Sequence, residues 1–248
     1  DDMISAHANH SRIRQFPLKD KENCLYSKDV ISFARKKGYF TGKDKDFSFS
    51  EAYAPIDFGA KRYCEARVWS FFNKWAAEDM KPYLPYAMGE DVNPETKQPI
   101  DGIPHEMPLW VKPKQFLSTQ DVKDMMRDHY EGTPMDITEG LGSLPWKMPY
   151  RVTPLSYKVD GKEYFNERPI STVQSSAIYV AQMRDWLPDY IGGVLWFGND
   201  DANMVALTPI YSCLESVPDC YSAKHANATT FSFRNAYWVC NWVSNMVY

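Results

Sequence analysis

The chain has 248 residues, 44% of them hydrophobic, enough to bury one sizeable core. Aromatic residues reach 15%, with 8 Trp, 16 Tyr and 13 Phe, the composition of a packed interior and not of a disordered chain. A net charge of -4 comes from 28 basic and 32 acidic residues mixed along the sequence. With no basic stripe, electrostatic recruitment of nucleic acid is excluded, and an acidic partner gains no support.

A membrane span is excluded in the same way. The most apolar stretch, residues 191–197, falls far short of the ~20 residues that cross a bilayer. The opening Asp1-Asp2-Met3-Ile4 lacks the basic and then apolar run of a signal peptide, and reads as a cut into a longer chain. Five cysteines, Cys24, Cys64, Cys213, Cys220 and Cys240, make an odd count that does not describe a disulfide scaffold. Without a C-x-x-C pair, neither a zinc knuckle nor a thioredoxin-like redox site is indicated. Cys213 and Cys220 flank Pro218 and could bridge a loop in an oxidising compartment; buried free thiols are the simpler reading for most of the five.

In chain order, Ser27 precedes a helical pattern of Val30, Ile31, Phe33 and Ala34 that Gly38 closes. A polar Lys/Asp-rich loop runs through Asp46. The next helix spans about Asp57 to Ala77, and its second half, residues 68–75, is apolar on more than one side, as a core helix should be. From Lys81 to Pro113, Pro82, Pro85, Pro94, Pro99, Pro104, Pro108 and Pro113 forbid long regular elements. This excursion is expected to bury Tyr83, Tyr86 and Trp110. Ser118 with Asp121 reads as a capping box opening a helix through about Tyr130, stopped by Gly132. Residues 132–154 are turn-rich. Ile170 to Arg184 alternates as a strand covered on one face does, and Tyr190 to Gly198 reads as an interior strand. Asn199-Asp200-Asp201 turns into a third strand over Met204 to Tyr211, which predicts an antiparallel meander. Thr229 to Tyr248 carries apolar residues at spacings of three and four and reads as an amphipathic helix packing on the sheet.

Familiar catalytic signatures are absent: no G-x-S-x-G, no P-loop, no G-x-G-x-x-G and no H-E-x-x-H. His105-Glu106 lacks the second histidine of a zinc helix. His7 and His10 could share a helical face, but two histidines make a poor metal site. The sequons at Asn9 and Asn227 are short enough to arise by chance. Cys64 and Cys240 fall within apolar helical patterns, and Cys24 lies upstream of a helix start with no His near it. Two polar positions stand out. Asn9, in Ser5-Ala6-His7-Ala8-Asn9-His10, offers an amide donor of the type that binds an oxyanion. Arg168, just before a strand, offers a guanidinium able to orient a carboxylate. A loop-capping Asn and a surface ion pair of Arg168 with Glu167 are the alternatives at these two positions.

The runs Arg168-Pro169-Ile170-Ser171-Thr172-Val173-Gln174 and Pro188-Asp189-Tyr190-Ile191-Gly192-Gly193-Val194-Leu195-Trp196-Phe197-Gly198-Asn199-Asp200-Asp201 carry a resemblance. So do Ser5-Ala6-His7-Ala8-Asn9, Glu22-Asn23-Cys24-Leu25-Tyr26-Ser27, Phe47-Ser48-Phe49-Ser50-Glu51-Ala52-Tyr53-Ala54-Pro55 and Glu65-Ala66-Arg67-Val68-Trp69. Together they resemble the dipeptidase A-type cysteine peptidases of bacteria, in order and over essentially the whole chain. The resemblance implies an α+β fold, the αββα sandwich of antiparallel sheets of an N-terminal-nucleophile hydrolase, present here in part. Residues 1–248 would be the C-terminal portion of a single hydrolase domain, and the missing N-terminal half would be its partner. Members hydrolyse dipeptides through a thioester on an N-terminal cysteine whose own α-amino group is the general base. Residue 1 here is Asp, so the nucleophile is expected outside this chain. By the same resemblance Asn9 would be an oxyanion donor, and Arg168 would steady the nucleophile or the substrate carboxylate. No cofactor is implied. Either a cytoplasmic or a secreted or periplasmic location fits, since some relatives carry a secretion signal.

Two rival readings stand beside this one. One is an amidase acting on N-acylated small molecules. The other is a non-catalytic binding or scaffold module, which should be soluble and monomeric. A half-enzyme alone should instead expose an apolar patch and aggregate or form homo-oligomers.

Overall fold

The computed structural model describes residues 2–151 and 156–247. They form an α+β arrangement of short helices and antiparallel strands, in two compact units that divide in sequence between Phe116 and Leu117.

The first unit is helical. Helix α1 (Val30–Lys37) begins after Asp29, later than Ser27 suggested, and ends at Gly38, whose φ of 76° is open to glycine at little cost. Val30 and Ala34 pack with Phe47 and Ala52, the last from α2 (Phe49–Tyr53), into one small core cluster. The long helix predicted from Asp57 is present, but not as a single α-helix. Asp57 caps α3 (Phe58–Ala60) by accepting the Ala60 N–H at 2.7 Å. A π-helical turn follows over Lys61–Glu65, and α4 (Ala66–Trp75) completes the run. The buried face of α4 carries Val68, Trp69, Phe72 and Trp75. Full burial of such side chains contributes about 1.5–3 kcal/mol each. Ala76, with φ -146° and ψ 51°, breaks the helix before α5 (Ala77–Met80), and the Trp69 indole N–H is satisfied by the Met80 carbonyl at 2.9 Å.

The start of the proline-rich stretch packs onto this helix, while residues 93–102 are exposed. Pro82 and Pro85 sit at the openings of a 3₁₀ turn (Lys81–Tyr83) and of α6 (Leu84–Ala87), where a missing N–H costs nothing. Tyr86 is fully buried as expected. Trp110 is not: it is 56% exposed. The reason is local, since Val111 exchanges N–H···O bonds with Ile4 (3.0 and 2.8 Å) and takes the inward position, which turns Trp110 outward.

The second unit opens with α7 (Thr119–Met125), whose Ser118–Asp121 capping box is formed in both directions. The helix stops sooner than predicted, and Tyr130 follows in a left-handed turn with φ 65°. A hairpin, β1 (Ser156–Val159) with β2 (Lys162–Phe165), falls between the predicted elements; Asp160 (φ 50°) and Gly161 (φ 77°) make its two-residue turn. The predicted meander is present as β3 (Ile178–Met183), β4 (Gly193–Gly198) and β5 (Thr208–Tyr211), antiparallel in the order β3-β4-β5. Residues 170–177 lie outside β3, and a short helix α8 (Asp189–Gly192) replaces the start of the predicted β4. Ile178 of β3 packs with Ala202 and Val205. Helix α9 (Ala236–Val247) reaches this cluster through Cys240, but it has no fully buried residue and Met246 is 74% exposed. The expected amphipathic burial of this helix is therefore not seen among its described residues, and Cys240 is its contribution to the cluster at Ile178. No helix among the described residues is long and apolar enough to cross a membrane.

Candidate active site

Asn9 belongs to the first unit, on an irregular segment that runs from the Ile4 bridge to α1. His7 and His10 lie on this same irregular stretch, so the helical face considered for them does not form. Ser5 donates to the Leu109 carbonyl (2.8 Å) and fixes one end. Arg12 fixes the other. Its Nε donates to both Glu65 oxygens (3.0 and 3.3 Å), and its terminal nitrogens reach the carbonyls of Ala6, Met107 and Pro108. Tyr86 donates from behind to Glu65 Oε2 at 3.4 Å; burial first, and the Glu65 charge second, push the Tyr86 phenol well above its ordinary range.

Between these anchors Asn9 adopts φ 57°, a left-handed conformation that asparagine tolerates better than most residues. Its Oδ1 accepts from Arg67 Nη2 at 2.6 Å, and the same guanidinium donates from Nε to the Tyr63 carbonyl at 2.7 Å. A guanidinium only donates, so the oxygen of the Asn9 amide faces Arg67 and the NH₂ group points elsewhere. That orientation is the one a hydrogen-bond donor to an external oxygen requires.

Arg168 belongs to the second unit. The backbone on which it stands is held by Tyr130, whose hydroxyl donates to the Arg168 carbonyl (2.8 Å), and by the Ser171 N–H to Asp128 carbonyl bond (3.0 Å). Ser171 also donates from Oγ to Asp201 Oδ1 at 2.9 Å, and Tyr150 donates to the other Asp201 oxygen. These side-chain bonds explain why residues 170–177 do not join β3. A cleft of about 30 Å³, room for one or two waters, opens here among Tyr150, Arg151, Glu167, Arg168 and Thr172. Burial lowers the Arg151 pKa from the ordinary arginine range, against the pull of Glu167. Glu167 thus has Arg151 as an electrostatic neighbour, which the pairing with Arg168 considered from sequence did not include.

A roomier cleft of about 230 Å³ lies in the first unit between Arg14, Ser50, Lys61, Asp91 and His105. Asp91, 1% exposed, accepts from Lys61 Nζ on both oxygens (2.7 Å) and lies 2.9 Å from His105 Nδ1. Arg14 is paired with Glu51 (2.8 Å) and Glu106. Each of these charges meets its opposite, so this cleft is internally neutralised. It accounts for His105 as a partner of Asp91. Among the described residues no group of three or more His, Cys, Asp and Glu side chains could hold a metal ion.

The five cysteines are free. Cys24 lies in a turn closed by its own N–H to the Asp20 carbonyl (3.0 Å), while Asp29 is the residue that opens α1. Burial raises the Cys240 thiol, away from the thiolate a nucleophile needs. Cys213 and Cys220 are exposed thiols, so neither the bridge nor burial describes them.

Comparison with known proteins gives this geometry a family. The profile of "Peptidase family C69" matches residues 1–248. Among curated relatives, a "Probable dipeptidase" of Salmonella dublin is 24% identical over 211 residues, covering 85% of this chain and 40% of that protein. A "Probable dipeptidase" of Latilactobacillus sakei is 23% identical, covering 96% and 42%, and a "Probable dipeptidase B" of Streptococcus pyogenes serotype M1 is 24% identical, covering 100% and 43%. The chain spans about two fifths of the length of these relatives. Its match to the family extends from residue 1 to residue 248, and the chain belongs to peptidase family C69.

Proposed function

We propose that this chain is part of a cysteine dipeptidase of the N-terminal-nucleophile type, with the nucleophile supplied by residues outside these 248. In this reading the α-amino group of an N-terminal cysteine takes the proton of its own thiol, and the thiolate attacks the carbonyl carbon of the dipeptide. The carbonyl π electrons move onto oxygen, and the Asn9 Nδ2–H donates to that oxyanion. Collapse breaks the C–N bond, the departing amine takes the proton, and a thioester remains. The α-amino group of the cysteine then takes a proton from water, the hydroxide attacks the thioester carbon, the C–S bond breaks to release the N-terminal residue of the dipeptide as its free acid, and the proton returns to the thiolate. Arg168 orients the substrate carboxylate or the nucleophile. The observation that carries the reading is the Arg67–Asn9 bond at 2.6 Å, which turns an amide donor outward from a segment anchored at both ends. The names of the relatives supply the substrate class.

The test is hydrolysis by the full-length native protein, followed by mass spectrometry. Free dipeptides, N-acetylated dipeptides and N-acylated amines are offered separately. Release of amino acids from free dipeptides, with a thioester adduct on an N-terminal cysteine, supports the proposal. Turnover of N-acylated amines alone establishes an amidase instead, and no turnover of any of the three leaves a binding role.

A further inference from the structure

We propose that Arg67 is the positioning residue for Asn9, fixing which face of its amide meets the reacting oxygen; this rests on the reading of Asn9 as the oxyanion donor. An asparagine side chain can rotate its amide by half a turn and exchange donor for acceptor at little cost in shape. An exposed loop asparagine would populate both orientations, and only one stabilises an oxyanion. Arg67 removes the ambiguity. It presents donors only, it is 2.6 Å from Oδ1, and it is held by its own Nε bond to the Tyr63 carbonyl at 2.7 Å.

The placement is built into two elements joined by two successive cross-links. On one side Asn9 and Arg12 lie three residues apart on the irregular segment; on the other Glu65 and Arg67 lie two apart, where the π turn passes into α4. The inner rung, Arg12–Glu65, is buried and structural, with side chains 4% and 3% exposed. The outer rung, Arg67–Asn9, lies at the surface where a substrate can arrive. A surface hydrogen bond of this kind adds little to folding, and its consequence is orientation.

The experiment is a double-mutant cycle in the full-length enzyme: Asn9→Ala, Arg67→Met and both together, with kcat and KM measured on one free dipeptide. Arg67→Met is expected to lower kcat by about 10- to 100-fold, less than loss of the donor itself, with KM within about threefold. The double variant is expected to be no slower than Asn9→Ala, because Arg67 acts only through Asn9. Arg67→Lys, which keeps a donor and a charge at this position, should recover part of the loss and guards against misfolding of the Met variant. If Asn9→Ala is slow while Arg67→Met is not, or if the two losses multiply, the role of Arg67 is overturned and Asn9 stands. If Asn9→Ala turns over normally, the Asn9 reading fails and the positioning role fails with it.

Discussion

Arg12 and Glu65 meet 3.0 Å apart in the interior of the first unit, joining an irregular segment to a helix across 53 positions of sequence. The pair is satisfied on all sides: Tyr86 donates to the carboxylate and three carbonyls accept from the guanidinium. Removing one member leaves a buried charge without its counter-ion. Glu65→Ala is therefore expected to destabilise the first unit by about 3–5 kcal/mol. Glu65→Gln keeps the acceptor and should lose less. Urea unfolding followed by tryptophan emission distinguishes them, and a loss below about 1 kcal/mol for Glu65→Ala would remove the pair as an anchor.

Asn9→Asp separates donation from shape. The carboxylate keeps the side-chain volume and can pair with Arg67, but it has no N–H to give. Within the full-length enzyme kcat should fall by about 10²- to 10³-fold with a smaller change in KM. Activity of Asn9→Asp within threefold of the parent would count against a donor role.

The acid limb of stability should report on Glu131. Burial raises its pKa, but bonds from the His129 ring (3.0 Å) and main-chain N–H (2.6 Å) outweigh this and hold it at about 2. A depressed carboxylate adds stability that is present above the unfolded value of about 4.5 and is lost as pH falls towards 2. The difference in urea midpoint between parent and Glu131→Gln should thus shrink as pH falls below ~5 towards 2. A difference that does not change with pH would show that the bond to His129 does not favour the charged form.

Ser118→Ala removes one half of the capping box at the start of α7. The expected loss is about 1 kcal/mol, read as a shift in thermal or urea midpoint. An unchanged midpoint would mean that α7 frays before global unfolding.

Thiol labelling should follow exposure. Iodoacetamide on the native chain, with peptide mapping, is expected to modify Cys213 and Cys220 first and Cys240 last, since burial raises the Cys240 thiol. Early modification of Cys240 would show that α9 opens readily.

What the sequence disclosed follows from the range of each interaction. Ser118 and Asp121, three residues apart, spelled out their capping box, and Gly38 marked the end of α1, because both are local backbone chemistry. The meander was legible for the same reason. Asp160-Gly161 between Ser156–Val159 and Lys162–Phe165 is an equally local signal of a hairpin turn. Strand β3 came out shorter than its alternation because Ser171 bonds to Asp128 and Asp201, residues that no pattern near position 171 reveals. Asn9 stands out as an amide donor in the sequence, but Arg67, 58 positions away, carries no sign that it would meet it. Arg12–Glu65 and Lys61–Asp91 were invisible likewise: their partners are chosen by packing, and charge composition alone does not name them.

The π turn at Lys61–Glu65 sets the phase of everything after it. A residue added to one helical turn rotates the downstream helix by about 100° relative to an unbroken α-helix. Glu65 reaches Arg12 and Arg67 reaches Asn9 only in that rotated frame, while Asp57 caps the unrotated one. Deleting one residue within the turn would let it close as α-helix with everything downstream left in its present frame. Forcing the turn into α-helix at unchanged length would instead point both cross-links the wrong way, so the π turn absorbs one extra residue while keeping Glu65 and Arg67 in register with Arg12 and Asn9.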